Sequence, residues 1–232
     1  MFRRLAFVEI LCTDHQFSMN SVVHAPFVPV PGIRTGKDLA QLPNYRDISS
    51  HWRDEYLTGR LVELSGWERS CTLTLSLDLA LSMQGHQEPV AWISHCNSWF
   101  FPPDLEHSVD LDALVVLRLP DQHAAAQAAE RLLRSGAFGL VIIDLGAITE
   151  LHVATQMRLA SLAKKHASIV LLLTHKRPEQ LSLGSLISLR VHTRYVHTGA
   201  DCFICELEAL KDKQRGPGWK HMAMYSGPEG LR

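Results

Sequence analysis

The sequence lacks what a disulfide scaffold, a membrane span or a nucleic-acid-coating protein would need. Its five cysteines (Cys12, Cys71, Cys96, Cys202 and Cys205) are odd in number and follow no framework spacing. That argues against a disulfide staple and makes a reducing cytoplasm the expected compartment. No stretch reaches the roughly 20 apolar residues of a bilayer-crossing helix, so no membrane contact is expected. The opening MFRRLAFVEILC carries two arginines and a short apolar run, but Glu9 interrupts it and Asp14 follows. A secretory leader needs a longer apolar stretch and a small-residue cleavage site. Charge of one sign is missing too: 23 Lys and Arg stand against 24 Asp and Glu, a net charge of −1. Any nucleic-acid contact must then come from a local patch. The thirteen histidines are scattered. None has the helical spacing of a zinc pair, and no metal is expected.

What is present is a chain of 232 residues, 46% hydrophobic, which is enough for one sizeable core and an attached arm. Residues 1–55 read as that arm, weakly structured, because Ala25–Gly32 holds three prolines and a glycine. Such a stretch fits neither a helix nor a central strand. Residues 56–232 read as one α/β domain. Short apolar runs at Arg60–Ser65, Val90–Ser94, Leu114–Leu119, Leu140–Leu145 and Ile169–Thr174 predict strands. Between them, Thr72–Gln84, with Leu73, Leu75, Leu77, Leu79 and Leu81 on a wide apolar face, the alanine-rich segment after Asp121, and Glu150–His166, with Leu151, Met157, Leu159, Leu162 and Ala163 among its apolar positions, have helical periodicity. Asp121 is a candidate N-cap, and Ser135-Gly136 a stop. Near-continuous apolar strands alternating with helices predict a mostly parallel sheet covered on both faces. Leu186–Tyr195, Cys202–Leu210 and Lys220–Tyr225, separated by short turns, predict an antiparallel extension at one edge.

A strand, a glycine, a loop and a helix form the setting of a phosphate-binding loop, G-x-x-x-x-G-K-[ST]. The corresponding stretch is Gly66-Trp67-Glu68-Arg69-Ser70-Cys71-Thr72-Leu73. The first glycine stands. Cys71 replaces the second, and its side chain crowds the approach of backbone to phosphate. Thr72 replaces the lysine that balances triphosphate charge. Leu73 replaces the hydroxyl ligand of Mg²⁺, a cation that takes oxygen ligands. Arg69 and Thr74 are the candidates for substitute charge and hydroxyl.

Gly59–Leu81, which contains this loop, resembles the first strand, phosphate loop and helix of the RecA family. Ala137–Ala147 resembles the strand bearing its Walker B aspartate, here Asp144. His175, in Leu172–Lys176, falls where RecA has a nucleotide-sensing glutamine. Ser182–Arg194 is similar to the region after RecA's second DNA-binding loop. Leu207–Gly218 is similar to its paired-lysine turn, with Lys211 and Lys213 in register. The resemblance runs from Gly59 to Tyr225. It implies a RecA-like core lacking RecA's C-terminal domain and most of that DNA-binding loop. It also puts Cys96, beside His95, where RecA has its water-activating glutamate. A short RecA-like chain with a degraded loop is what the ImuA family looks like. That family implies an accessory role in SOS-induced translesion synthesis and mutagenesis. Its expected partners are RecA, ImuB and an error-prone C-family DNA polymerase, with direct DNA contact weak if any.

Beside the resemblance, several residues carry two readings each. Asp144 is either a leftover metal-site acid or a strand-end carboxylate that accepts local hydrogen bonds. Lys211, Lys213, Arg215 and Lys220, the one clear basic cluster, suit a protein partner, a phosphate backbone or plain solvent. Trp67, Trp99, Phe100 and Phe101 are partner anchors or caps over the core. Cys202 and Cys205 lie three apart in a predicted strand. There they point to opposite faces, which disfavours a zinc or redox pair; the adjacent His95 and Cys96 diverge likewise. The expected activity is binding without catalysis and without a cofactor. The alternatives are a weak RecA-like ATPase or DNA-binding recombination protein, and a SulA-like cell-division inhibitor. Homo-oligomerisation stays open.

Overall fold

In the computed structural model, the described residues are 52–95, 109–148, 151–197 and 202–226. They run α1 (Asp54–Leu57), β1 (Leu61–Gly66), α2 (Thr72–Gly85), β2 (Val90–His95), a 3₁₀ turn (Leu111–Ala113) and β3 (Leu114–Leu119). Then follow α3 (Gln122–Ser135), β4 (Leu140–Gly146), α4 (Val153–His166), β5 (Ile169–His175), β6 (Leu189–His197), β7 (Cys202–Asp212) and β8 (Lys220–Ser226).

The eight strands form one sheet, ordered β3-β2-β4-β5-β1-β6-β7-β8. The apolar runs of β1, β2, β4 and β5 are buried along nearly their whole length because helices cover both faces. α2 closes one face, where Leu75, Leu79 and Met83 pack with Val62, Leu64, Trp92 and Ile142. α3 and α4 close the other, where Ala129, Leu133, Leu159 and Ala163 pack with Ile93, Val141 and Leu172. Trp52 is buried in the first of these cores. Among the described residues, no helix is long and apolar enough to cross a membrane.

β6 is where the direction of the sheet changes. It runs parallel to β1 and antiparallel to β7, and β7 runs antiparallel to β8. The antiparallel part thus grows out of the parallel sheet through a shared strand. Leu186 and Ser188, expected inside that strand, precede it: Leu186 N–H donates to Gln156 and the Ser188 carbonyl accepts from Lys213 N–H. Two helix faces also turn out differently. Leu73 of α2 and Met157 of α4, expected on the apolar faces, are exposed. The buried stripe of α2 is centred on Leu75 and Leu79, and that of α4 on Leu159 and Ala163.

Helix ends follow the sequence closely. Asp121 Oδ1 accepts the Ala124 N–H at 2.8 Å, and Gly136 closes α3 in a left-handed conformation. Asp121→Ala is expected to cost about 1 kcal/mol, the usual worth of an N-cap. Urea unfolding of both chains measures it, and an unchanged midpoint would contradict the capping role.

Candidate functional site at the loop after β1

The loop leaving β1 lies at the carboxyl end of the parallel strands, where open α/β sheets place ligands. Its polar groups already have partners within the protein. The Gly66 carbonyl accepts from Lys176 N–H at 3.0 Å, and the Arg69 carbonyl from Tyr195 N–H at 3.0 Å. The Cys71 N–H, which a working loop would aim at phosphate, donates to Thr193 Oγ1 at 3.3 Å. The Cys71 thiol points to the Arg194 carbonyl at 3.5 Å. The loop is therefore stitched to the ends of β5 and β6.

Side chains fill the space as well. Ser70 folds back so far that a Cβ added to Gly66 would lie 2.3 Å from the Ser70 Cβ. Only glycine fits there, for contact with the loop's own side chain. Ser70 and Thr72 pair hydroxyl to hydroxyl at 3.3 Å. Leu73 is 47% exposed and offers no oxygen. Arg69 is exposed. Trp67 stacks on His175, with ring centroids 4.4 Å apart, and the Arg177 guanidinium lies 4.6 Å from its ring. Asp144, half-buried at the end of β4, accepts the Gly146 N–H at 3.1 Å.

Cys71 is 1% exposed and belongs to the core beneath α2. Its thiol is in hydrogen-bond contact with Cys205; that contact first, and then burial, raises the Cys205 pKa. Cys205 thus pairs across the fold with Cys71, both as free thiols, a partnership its C-x-x-C spacing does not suggest. The side chain of Cys202 lies outside the described residues. So do the side chain of His95, all of Cys96, Trp99, Phe100 and Phe101, and residues 1–51 of the arm.

The basic cluster disperses. Lys211 Nζ donates to the Gly184 carbonyl at 3.0 Å; burial, then the neighbouring Lys213, lowers its pKa. Arg215 stacks over the Tyr56 ring at 3.9 Å, and Lys220 pairs with Glu208 at 3.6 Å. Lys213 is exposed. Three of the four spend their charge or their stem on local partners, so a single phosphate-binding patch does not form from them.

Sequence reasoning missed the buried polar core behind the loop. Glu63, on β1, is fully buried. It accepts from Ser182 Oγ at 2.7 Å, Leu183 N–H at 2.9 Å and Thr174 Oγ1 at 3.3 Å. Lys176 Nζ and Arg190 Nε lie 3.6 and 3.7 Å from it. Arg190 also donates to the Gln180 and Arg177 carbonyls, so the network ties the 176–187 segment to the sheet. The signal available was a lone carboxylate inside an apolar strand. Nearby, Ser65 and His192 approach to 3.4 Å, but the Ser65 hydroxyl donates to the Val191 carbonyl. It is then left only to accept from the imidazole, so the pair does not form an activated nucleophile. Burial, then Arg190 and Arg194, keeps the His192 pKa low.

Fold and site together define an open-sheet α/β protein with a strand–loop–helix junction shut by its own backbone and side chains. No family model matches the chain, and no curated protein does.

Proposed function

We propose that this chain is a non-catalytic RecA-like accessory protein of SOS-induced translesion synthesis. It acts by binding RecA and the mutasome subunits ImuB and an error-prone C-family polymerase. The observation that carries the non-catalytic part is the Cys71 N–H bonded to Thr193. A phosphate oxygen would have to displace that bond and the folded-back Ser70, with no lysine to offset the cost. The RecA-like part is supported by the order of elements. The strand, loop and helix at 61–85 are followed by an aspartate at the end of β4 and by His175 at the end of β5, which pairs with β1. The mutasome assignment rests on the sequence resemblance to the ImuA family.

Titration calorimetry with ATP and Mg²⁺ at millimolar concentration is expected to give no heat of binding and no rise in melting temperature. Saturable binding, or hydrolysis abolished by Arg69→Ala or Asp144→Ala, would overturn the non-catalytic reading. A pull-down with RecA, ImuB and the cell-division GTPase tests the partners. Capture of the GTPase alone would favour the division-inhibitor alternative.

A further inference from the structure

α3 and α4 lie side by side over one face of the sheet. Together they hold five Lys and Arg (Arg131, Arg134, Arg158, Lys164 and Lys165) against one carboxylate, Glu130. That is a surplus of four positive charges in a chain whose net charge is −1. β4 separates the two helices in sequence, so no local run displays the cluster. Arg131, Lys164 and Lys165 are exposed and have no ion pair among the described residues. Arg134 and Arg158 meet Glu130 at 2.5 and 2.8 Å, with side chains 64% and 52% exposed. Ion pairs this open contribute little, and a guanidinium has donors to spare for a further anion.

A cleft of about 280 Å³ opens where these helices meet, lined by Glu130, Arg134, Met157, Arg158, Ser161 and Leu162. Its walls mix two guanidiniums with a methionine and a leucine. Met157 is 59% exposed, and Val153, one turn earlier, is exposed too. Arg158, Ser161, Leu162 and Lys165 follow at three- and four-residue spacing, which keeps them on one side of α4. A helix-end role accounts for Lys164 and Lys165, which complement the carbonyls of the last turn. It does not account for an apolar side chain left in water beside Arg134 and Arg158. A phosphate backbone would match the charge and leave that apolar wall wet. Helices that lie on anionic membranes carry Trp or Phe on the apolar side, and neither α3 nor α4 contains an aromatic residue.

We propose that the α3–α4 cleft binds an acidic protein segment that carries one large apolar side chain among its carboxylates. The apolar side chain enters between Met157 and Leu162, and methionine adapts to its shape. The carboxylates pair with Arg134, Arg158 and Lys165, where the planar guanidinium forks match their geometry. Glu130 already holds both forks across the cleft, so less side-chain order is lost when the segment arrives. The proposal depends on neither the RecA-like reading nor the loop after β1.

Fluorescence anisotropy with the full chain and a labelled Asp/Glu peptide bearing one central phenylalanine tests this. Binding is expected to saturate and to weaken as salt rises, because exposed charges are screened. Exchanging the phenylalanine for glycine is expected to weaken binding about thirty-fold, the scale of an interface hot spot. Met157→Asp, and Arg131→Glu combined with Lys165→Glu, are each expected to weaken it about ten-fold. The substituted side chains are exposed, so an unchanged melting temperature confirms folding. A purely helix-end role for these charges predicts the reverse: a lower melting temperature and native affinity. That result would overturn the proposal, as would the absence of saturable binding or equal affinity for the two peptides. Tighter binding of a DNA duplex or of phosphatidylglycerol vesicles than of the peptide would also overturn it, and assign the face to phosphate.

Discussion

Replacing Glu63 by alanine is expected to lower the unfolding free energy by about 4 kcal/mol, the scale for stripping one partner from a buried ion pair. Glu63 and Lys176 are 0% and 1% exposed at the side chain, and Arg190 is 4%. Without the carboxylate, two cations remain in a site that excludes water. The Leu183 N–H, the Ser182 hydroxyl and the Thr174 hydroxyl also lose their shared acceptor. At the size of this chain the loss is worth about 10 °C in melting temperature. Glu63→Gln, which keeps an acceptor oxygen but no charge, is expected to fall between the two. The 176–187 segment should become the first site of proteolysis in Glu63→Ala. Equal melting temperatures for the alanine variant and the native chain would remove the ion network from the account of stability.

Asp212→Asn is expected to cost about 3 kcal/mol at neutral pH, again because a buried cation loses its counter-charge. Asp212 accepts from Arg60 at 2.7 Å, Gln214 N–H at 2.9 Å and Trp219 Nε1 at 3.1 Å. Burial alone would push its pKa up. The donors from Gln214, Arg60 and Trp219, with the Arg60 charge, outweigh it and hold the carboxyl below its ordinary value. A carboxylate depressed in the folded state stabilises fully above its unfolded pKa of about 3.9. That contribution fades as pH falls from there through the folded pKa. The gap between native chain and variant should then be flat from pH 5 to 7 and close in more acid solution. A gap that widened on acidification would reverse the assigned sign.

Both ion clusters brace the sheet on the two sides of β1, and neither faces the loop after β1 with a free charge. Arg60 joins β1's entry to the end of β7, and Glu63 joins its middle to the 176–187 segment. The loop at the carboxyl end of β1 rests on a rigid base and is itself stitched to β5 and β6.

Much of the architecture could be read from local pattern. Apolar runs such as Leu140–Leu145 and Ile169–Thr174 could satisfy water exclusion only as interior strands. Asp121 and Gly136 mark the ends of a helix by capping chemistry that needs no tertiary context. That the loop after β1 carries no lysine, and that Leu73 offers no oxygen ligand, was equally plain. Pattern misplaced Leu73 and Met157 because helical periodicity gives a face without saying which neighbours meet it. It grouped Lys211, Arg215 and Lys220 because they are close in sequence, although their strands and turn aim them at different partners.

The amino-acid order by itself determined the alternation of strands and helices and which side chains the loop after β1 carries, since both depend on residues within a turn or two of each other. The folded chain alone decided how that loop is closed. Thr193, Tyr195 and Cys205 reach it from more than a hundred residues away, and only the pairing of β1 with β6 and β6 with β7 brings them there. Contacts over such distances are set by sheet register, a cooperative property of all the strands, and leave no mark on any one of them.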